Sequence, residues 1–110
     1  MALLLVLLVA QAGCGLNLQL QSYNYMQEGI KKYNVSDFRG ALETLEKGLA
    51  VANRTGNKQA IAGFFNTIGL VYNDLGDYPK ALSHFEQSLK INKEIGDTKG
   101  EEMTLNNLVE

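Results

Sequence analysis

The fold is decided by residues 65–85, which read FNTIGLVYNDLGDYPKALSHF. Apolar residues follow a helical period on both sides of a break at Gly76-Asp77. Before the break they are Phe65, Ile68, Leu70, Val71, Tyr72 and Leu75; after it they are Ala81, Leu82, Phe85 and, further along, Leu89. The stretch therefore predicts two consecutive amphipathic helices joined by a tight turn.

The same pattern recurs along the chain with a period of forty residues. Identical pairs include Gly29/Gly69, Asp37/Asp77, Ala41/Ala81, Leu42/Leu82, Glu46/Glu86, Leu49/Leu89 and Gly56/Gly96. A third copy begins near Glu101, where Asn106 corresponds to Asn66 and Leu108 to Ile68. Since a fixed period of this length is typical of helical repeat proteins, we predict repeats at about 18–57, 58–97 and, in part, 98–110.

Turn-forming residues place the ends of five predicted helices. Breaks at 34–37, 55–57, 76–77 and 96–97 give helices at about 18–34, 37–54, 58–75, 77–95 and 98–110. Asp37 and Asp77 are predicted N-caps, and Pro79 lies in a first turn, where its missing N–H costs little. Thr98-Lys99-Gly100-Glu101 is predicted to form a capping box for the last helix.

The motif Phe65-x-x-Ile68-Gly69-x-x-Tyr72, followed by Ala81-x-x-x-Phe85, resembles the tetratricopeptide repeat (TPR) signature. The resemblance covers about residues 18–110, and the forty-residue period is similar to a longer-helix bacterial subtype and to kinesin-light-chain-like scaffolds. It implies an all-α fold: a right-handed α-solenoid of antiparallel helix pairs, with two complete repeats plus the first helix of a third.

The signature also predicts how the core is packed. A glycine within a helix costs roughly 1 kcal/mol relative to alanine, so a close helix contact is expected at each such position. These glycines are Gly29, Gly48, Gly63 and Gly69. We expect Gly69 to face Ala81, and Phe65, Tyr72 and Phe85 to fill the space between one helix pair and the next.

In TPR proteins the first helix of each pair lines a concave groove, in which a peptide or protein segment binds. The resemblance implies groove residues in all three copies. They are Tyr23, Met26, Gln27, Ile30 and Tyr33, then Gly63, Asn66, Leu70 and Asn73, then Met103, Asn106 and Asn107. Asn66 and Asn106 are equivalent, and asparagines at these places hold the peptide backbone in similar proteins. Met26 and Ile30 stand where chaperone-tail clamps carry polar residues, so an apolar or amphipathic partner is expected.

Composition excludes several other functions. Ten Lys and Arg against twelve Asp and Glu give a net charge of −2 without a basic stripe, which argues against nucleic acid as a partner. One Cys and one His cannot form an intrachain zinc site, and no catalytic set or phosphate-binding loop occurs. The sequence predicts a non-enzymatic protein without a cofactor.

Residues 1–14 form a separate predicted leader. Residues 2–10 are an unbroken apolar run, too short to span a bilayer but long enough for a secretory signal. Ala10-Gln11-Ala12 suits a signal peptidase, while Gln11-Ala12-Gly13-Cys14 resembles a bacterial lipobox with Cys14 as the lipidated residue. Export to the cell envelope is predicted, with lipidation at Cys14 as the one membrane attachment. A wrongly assigned start followed by a packed helix is the alternative.

The last predicted helix presents Met103, Leu105, Leu108 and Val109 without a following helix to cover them. Further repeats or self-association are therefore expected at this end, since terminal repeats normally carry a polar cap. Three roles fit the sequence. They are an exported binding scaffold, a sensory arm of a longer bacterial signalling protein of the histidine-kinase or cyclase type, and a cytoplasmic adaptor.

Overall fold

The computed structural model describes the backbone of residues 2–109 and the side chains of residues 16–108. Over residues 2–109 it contains five helices and no strand, so the predicted all-α class is confirmed. The helices are α1 (Ala2–Asn34), α2 (Phe38–Thr55), α3 (Lys58–Asp74), α4 (Tyr78–Ile95) and α5 (Thr98–Val109).

Helix α1 begins at Ala2 and not at residue 18 as predicted. More than half of the residues between these points are Ala or Leu, which favour a helix, and no proline interrupts them. The predicted leader stays a prediction, because an apolar signal segment can itself be helical.

Side-chain caps begin the four later helices. The carboxylates of Asp37 and Asp77 accept hydrogen bonds from the backbone amides of Gly40 (3.0 Å) and Lys80 (3.3 Å), as predicted. Asn57 does the same for α3, with the amide of Ala60 at 3.2 Å. Each cap satisfies an amide that the first helical turn leaves without a partner.

The predicted cap of α5 is wrong by one residue. Asp97, and not Thr98, accepts the hydrogen bond from the amide of Gly100, at 2.9 Å, and Thr98 is the first helical residue. A carboxylate three residues before a free amide displaces the weaker hydroxyl cap. Asp97 thereby takes the place that Asn57 has forty residues earlier.

Residues with a left-handed backbone conformation lie at the turns between helices. Gly56, Gly76 and Gly96 have φ values of 71°, 82° and 70°, and Ser36 has a φ of 63°. Ser36 occupies in the first copy the position that Gly76 occupies in the second. Only glycine adopts this conformation without steric cost, so Ser36 carries a local strain of roughly 1–2 kcal/mol.

Each helix contacts the next along the chain, and α1 also contacts α3, as α3 contacts α5. The most buried apolar residues lie on α2 and α3: Ala41, Leu45, Ala52, Phe64, Ile68 and Val71. The core therefore lies between the second and third helices, and residues of α1 pack around it.

Two glycines allow close contacts between α1 and α2 and between α3 and α4. A Cβ atom built on Gly29 would lie 2.5 Å from Leu45 Cδ2, and one built on Gly69 would lie 2.6 Å from Phe85 Cε1. The expectation that Gly69 faces Ala81 is therefore wrong: Phe85, one turn further along α4, fills the space. Leu45 and Phe85 are themselves forty residues apart.

The aromatic residue between the first and second helix pairs is Phe64, not Phe65. Phe64 is 1% exposed and its ring rests on Gly48, where any side chain would collide with it. Phe65 is half-buried, with its ring 6.0 Å from that of His84 on α4. Successive helical residues point about 100° apart, so neighbouring phenylalanines serve different interfaces. Phe85 is buried as predicted, and Tyr72 packs half-buried against the core.

Candidate functional site

The predicted groove residues lie on α1, α3 and α5 and differ in exposure. On α1, Tyr23 is 61% exposed and Gln27 is exposed, whereas Met26, Ile30 and Tyr33 are half-buried.

On α3, Gly63, Asn66, Leu70 and Asn73 are all half-buried. On α5, Met103 is 54% exposed, Asn106 is exposed and Asn107 is half-buried.

One cavity of about 320 Å³ lies between the early turns of α3 and the α1 segment around Tyr23. We call it the α1–α3 cavity. Three predicted groove residues, Tyr23, Met26 and Gly63, line it. Its other lining residues are Gln19, Ser22, Thr55, Asn57, Ala60 and Phe64. Its apolar walls suit an apolar side chain, with a few polar groups to orient it.

A second cavity of about 180 Å³, the α3–α5 cavity, lies between α3, α4 and α5. The predicted groove residues Gly63, Asn66 and Met103 line it. The remaining lining residues are Gln59, Ala62, Ser88, Asn92, Asp97, Gly100 and Thr104. Gly63 therefore belongs to both cavities, with one on each side of α3.

Three buried polar side chains form the inner wall of the α3–α5 cavity. Ser88, Asn92 and Thr104 are 0%, 4% and 1% exposed. The Ser88 hydroxyl donates to the carbonyl of Ala62 (2.8 Å) and lies 3.2 Å from the Thr104 hydroxyl, which donates to the carbonyl of Gly100 (3.0 Å). We call these three residues the polar layer.

Asn92 joins the polar layer through its amide nitrogen. This nitrogen donates to the Ser88 and Thr104 hydroxyl oxygens, both at 3.4 Å. The hydrogen bonds satisfy groups that would otherwise be costly to bury. No sequence motif pointed to Asn92 or Thr104, although the forty-residue register contained the signal. Gly48, Ala52 and Phe64 become Ser88, Asn92 and Thr104 in the next copy.

One asparagine of α3 is hydrogen-bonded to one of α5. The partner lies one residue beyond the position that the forty-residue repeat makes equivalent. The amide nitrogen of Asn107 donates to the side-chain oxygen of Asn66 at 2.8 Å, and the equivalent Asn106 is exposed. The Asn66 amide nitrogen still carries two N–H donors, which a peptide carbonyl can accept. Asn66 is therefore a contact between α3 and α5 as well as a predicted groove residue.

Tyr33 connects the ends of α1 and α3. Its hydroxyl donates to Asp74 Oδ2 at 2.6 Å. The pKa of Tyr33 is raised to about 12, first by this hydrogen bond, then by burial and by the negative charge of Asp74. Tyr33 thus holds the end of α1 against the end of α3.

A third cavity, of about 540 Å³, lies beside α4 near the end of α5. Two predicted groove residues, Asn73 and Asn107, line it together with Leu108 and α4 residues such as Leu82. The other five predicted groove residues line none of these three cavities: Gln27, Ile30, Tyr33, Leu70 and Asn106.

Two further features bear on chemistry and location. Within the described residues, no three His, Cys, Asp or Glu side chains are placed to hold a metal ion. Over the same residues, no helix combines the length and the hydropathy that a bilayer crossing requires. The predicted lipidation site, Cys14, lies outside the residues whose side chains are described.

No model of a known protein family matches the chain, and no curated protein matches it at a significant level. The geometry of the two cavities and of the helices around them therefore carries the functional proposal.

Replacing Tyr33 by Phe tests the link between α1 and α3. Because the pKa of Tyr33 in the folded state lies above its ordinary value of 10.0, the hydrogen bond stabilises fully below pH 10 and is lost as the pH rises to about 12. We expect Tyr33→Phe to lower the unfolding free energy at neutral pH by about 1 kcal/mol, a small value because the pair is exposed. Urea unfolding measures this change.

Titration of the tyrosines by ultraviolet absorbance gives an independent check of the same pair. One phenol should ionise at about pH 12 in the wild type, and this step should vanish in Tyr33→Phe. Asp74→Asn should move it to lower pH by removing the negative charge. An unchanged titration in both variants would contradict the assignment.

Replacing Thr104 by Val tests the polar layer, because it keeps the shape and removes the hydroxyl. Ser88 and Asn92 then lose a buried partner, so we expect destabilisation by about 2 kcal/mol and faster amide exchange in α5. Thr67→Val is the matched control, since the Thr67 hydroxyl bonds only to the carbonyl of Gly63, four residues earlier. Equal effects of the two substitutions would show that the layer contributes nothing beyond the local bond.

Proposed function

We propose that the chain is a non-enzymatic binding module of the TPR type. Its helices form a right-handed α-solenoid of antiparallel pairs, two complete repeats plus the first helix of a third. A peptide or protein segment binds in the groove formed by α1, α3 and α5. The observation that carries the proposal is the pair of cavities that open along this row of helices.

Contacts within the first helix pair support the antiparallel arrangement. Tyr25 meets Gly48, Gly29 meets Leu45, and the Lys32 ammonium donates to the Thr44 hydroxyl at 2.8 Å. As the residue number rises along α1, it falls along α2, as expected for antiparallel neighbours.

Recurrence of the contacts supports the solenoid. The contact of Gly29 with Leu45 returns forty residues later as Gly69 with Phe85. The contact between pairs, Gly48 with Phe64, returns as Ser88 with Thr104. An array in which each repeat meets its neighbour in the same way is what a stacked repeat requires.

The groove suits a peptide in an extended conformation. Tyr23 and Met26 offer adaptable apolar surface on α1, and Asn66 offers amide donors on α3. Apolar walls give affinity, and amide groups satisfy the peptide backbone without reading its sequence.

A phage-displayed library of random dodecamer peptides tests this function. We expect the full chain to enrich peptides whose affinity, measured by fluorescence anisotropy, falls about tenfold in Asn66→Ala, since roughly one hydrogen-bonding group is lost. Asn53→Ala on the exposed side of α2 is the matched control and should bind as the wild type does. No enrichment, or equal loss in both variants, would contradict a groove site.

We further propose export, with Cys14 as the lipidated residue, on the strength of the apolar run and the lipobox-like Gln11-Ala12-Gly13-Cys14. An intact mass of the chain from a bacterial membrane fraction tests this. Loss of residues 1–13 with added acyl mass is expected, and Cys14→Ala should abolish the added mass. A full-length chain that keeps Met1 in the soluble fraction would overturn export.

A further inference from the structure

The two cavities of the groove are the same site repeated. Eight of the nine residues that line the α1–α3 cavity, all except Thr55, have a counterpart forty positions later in the α3–α5 cavity. The pairs are Gln19/Gln59, Ser22/Ala62, Tyr23/Gly63, Met26/Asn66, Asn57/Asp97, Ala60/Gly100, Gly63/Met103 and Phe64/Thr104. A ligand that lies along the groove therefore meets one subsite in each repeat.

The α3–α5 cavity differs in chemistry from the α1–α3 cavity. The apolar Met26 and Phe64 are replaced by Asn66 and Thr104, and the neutral cap Asn57 is replaced by Asp97. Ser88 and Asn92 add buried polar groups. Asp97 is the one charged residue among those that line either cavity.

Gly63 forms the passage between the subsites. A Cβ atom built there would meet only Met26 Cε, at 3.8 Å, so unlike Gly48 this glycine has no packed neighbour that requires it. Its counterpart Met103 is 54% exposed. The bare backbone at Gly63 leaves room for a ligand main chain to cross α3.

We infer that the groove selects an extended peptide carrying an apolar side chain and, two or three residues away, a lysine or arginine. The apolar side chain enters the α1–α3 cavity and the basic one enters the α3–α5 cavity. This inference rests on the proposed function and adds the class of partner to it.

The proposed spacing follows from chain geometry. Packed helices lie about 8–10 Å apart, so successive subsites are separated by about this distance. Side chains on one face of an extended strand are about 7 Å apart at two residues, and those of a polyproline II helix about 9 Å at three residues. The cationic group is attracted by the Asp97 carboxylate, whose Oδ1 also holds the Gly100 amide.

Two substitutions separate the subsites. Asp97→Asn removes the charge and keeps an N-cap of the kind that Asn57 provides, so α5 should remain folded. Glu86→Gln, an exposed residue of α4 that lines neither cavity, removes the same charge elsewhere and serves as control. Gly63→Met introduces the residue that the next copy already carries and closes the passage.

The same dodecamer library is the probe. Wild type and Glu86→Gln should both enrich an apolar residue and a Lys or Arg at the stated spacing. Asp97→Asn should lose the basic preference, with about a tenfold drop in affinity for a selected peptide, and Gly63→Met should lose binding altogether while its circular dichroism stays helical.

The failures of the two proposals are distinguishable. If the wild type enriches peptides without a spaced apolar and basic pair, or if Asp97→Asn keeps the basic preference, this inference falls and the groove function stands. If the wild type enriches no peptide at all, the groove function falls with it.

Discussion

The structure depends on the seating of Phe64 on Gly48. This contact joins the second helix pair to the first, and the absent side chain at Gly48 makes it possible. Around it the most buried apolar side chains of α2 and α3 come together. Loss of such a ring from a core typically costs 3–5 kcal/mol, so no surface interaction in the molecule compares with it. The proposed groove depends on this contact, because it helps to hold α1 and α3 side by side.

The next interface uses the same geometry with different chemistry. Ser88, Asn92 and Thr104 occupy the positions of Gly48, Ala52 and Phe64, and hydrogen bonds replace aromatic packing. Net hydrogen-bond contributions are about 1 kcal/mol each, smaller than the burial of a ring. We therefore expect the interface of α5 with α4 to contribute less stability than that of α3 with α2.

The sequence was sufficient for the period, the turns and the caps Asp37 and Asp77. Periodicity could not decide between Phe64 and Phe65, because both lie on one broad apolar face that contacts two neighbours. It also could not show that Gly69 faces Phe85, since the turn length sets that register. The polar layer can be found in the sequence only by comparing the copies position by position. The pairing of Asn66 with Asn107 depends on how α3 and α5 pack together.

The contact of Phe64 with Gly48 and the polar layer also determine which repeat packs next to which. A phenylalanine-bearing helix placed against α4 would collide with Ser88 and leave the Asn92 amide without its Thr104 partner. A threonine-bearing helix placed against α2 would leave a void above Gly48. Repeats built on one template are prone to stacking out of order during folding, and mismatched interfaces suppress such products. The side chains at these two interfaces thus specify which helix packs on α2 and which packs on α4.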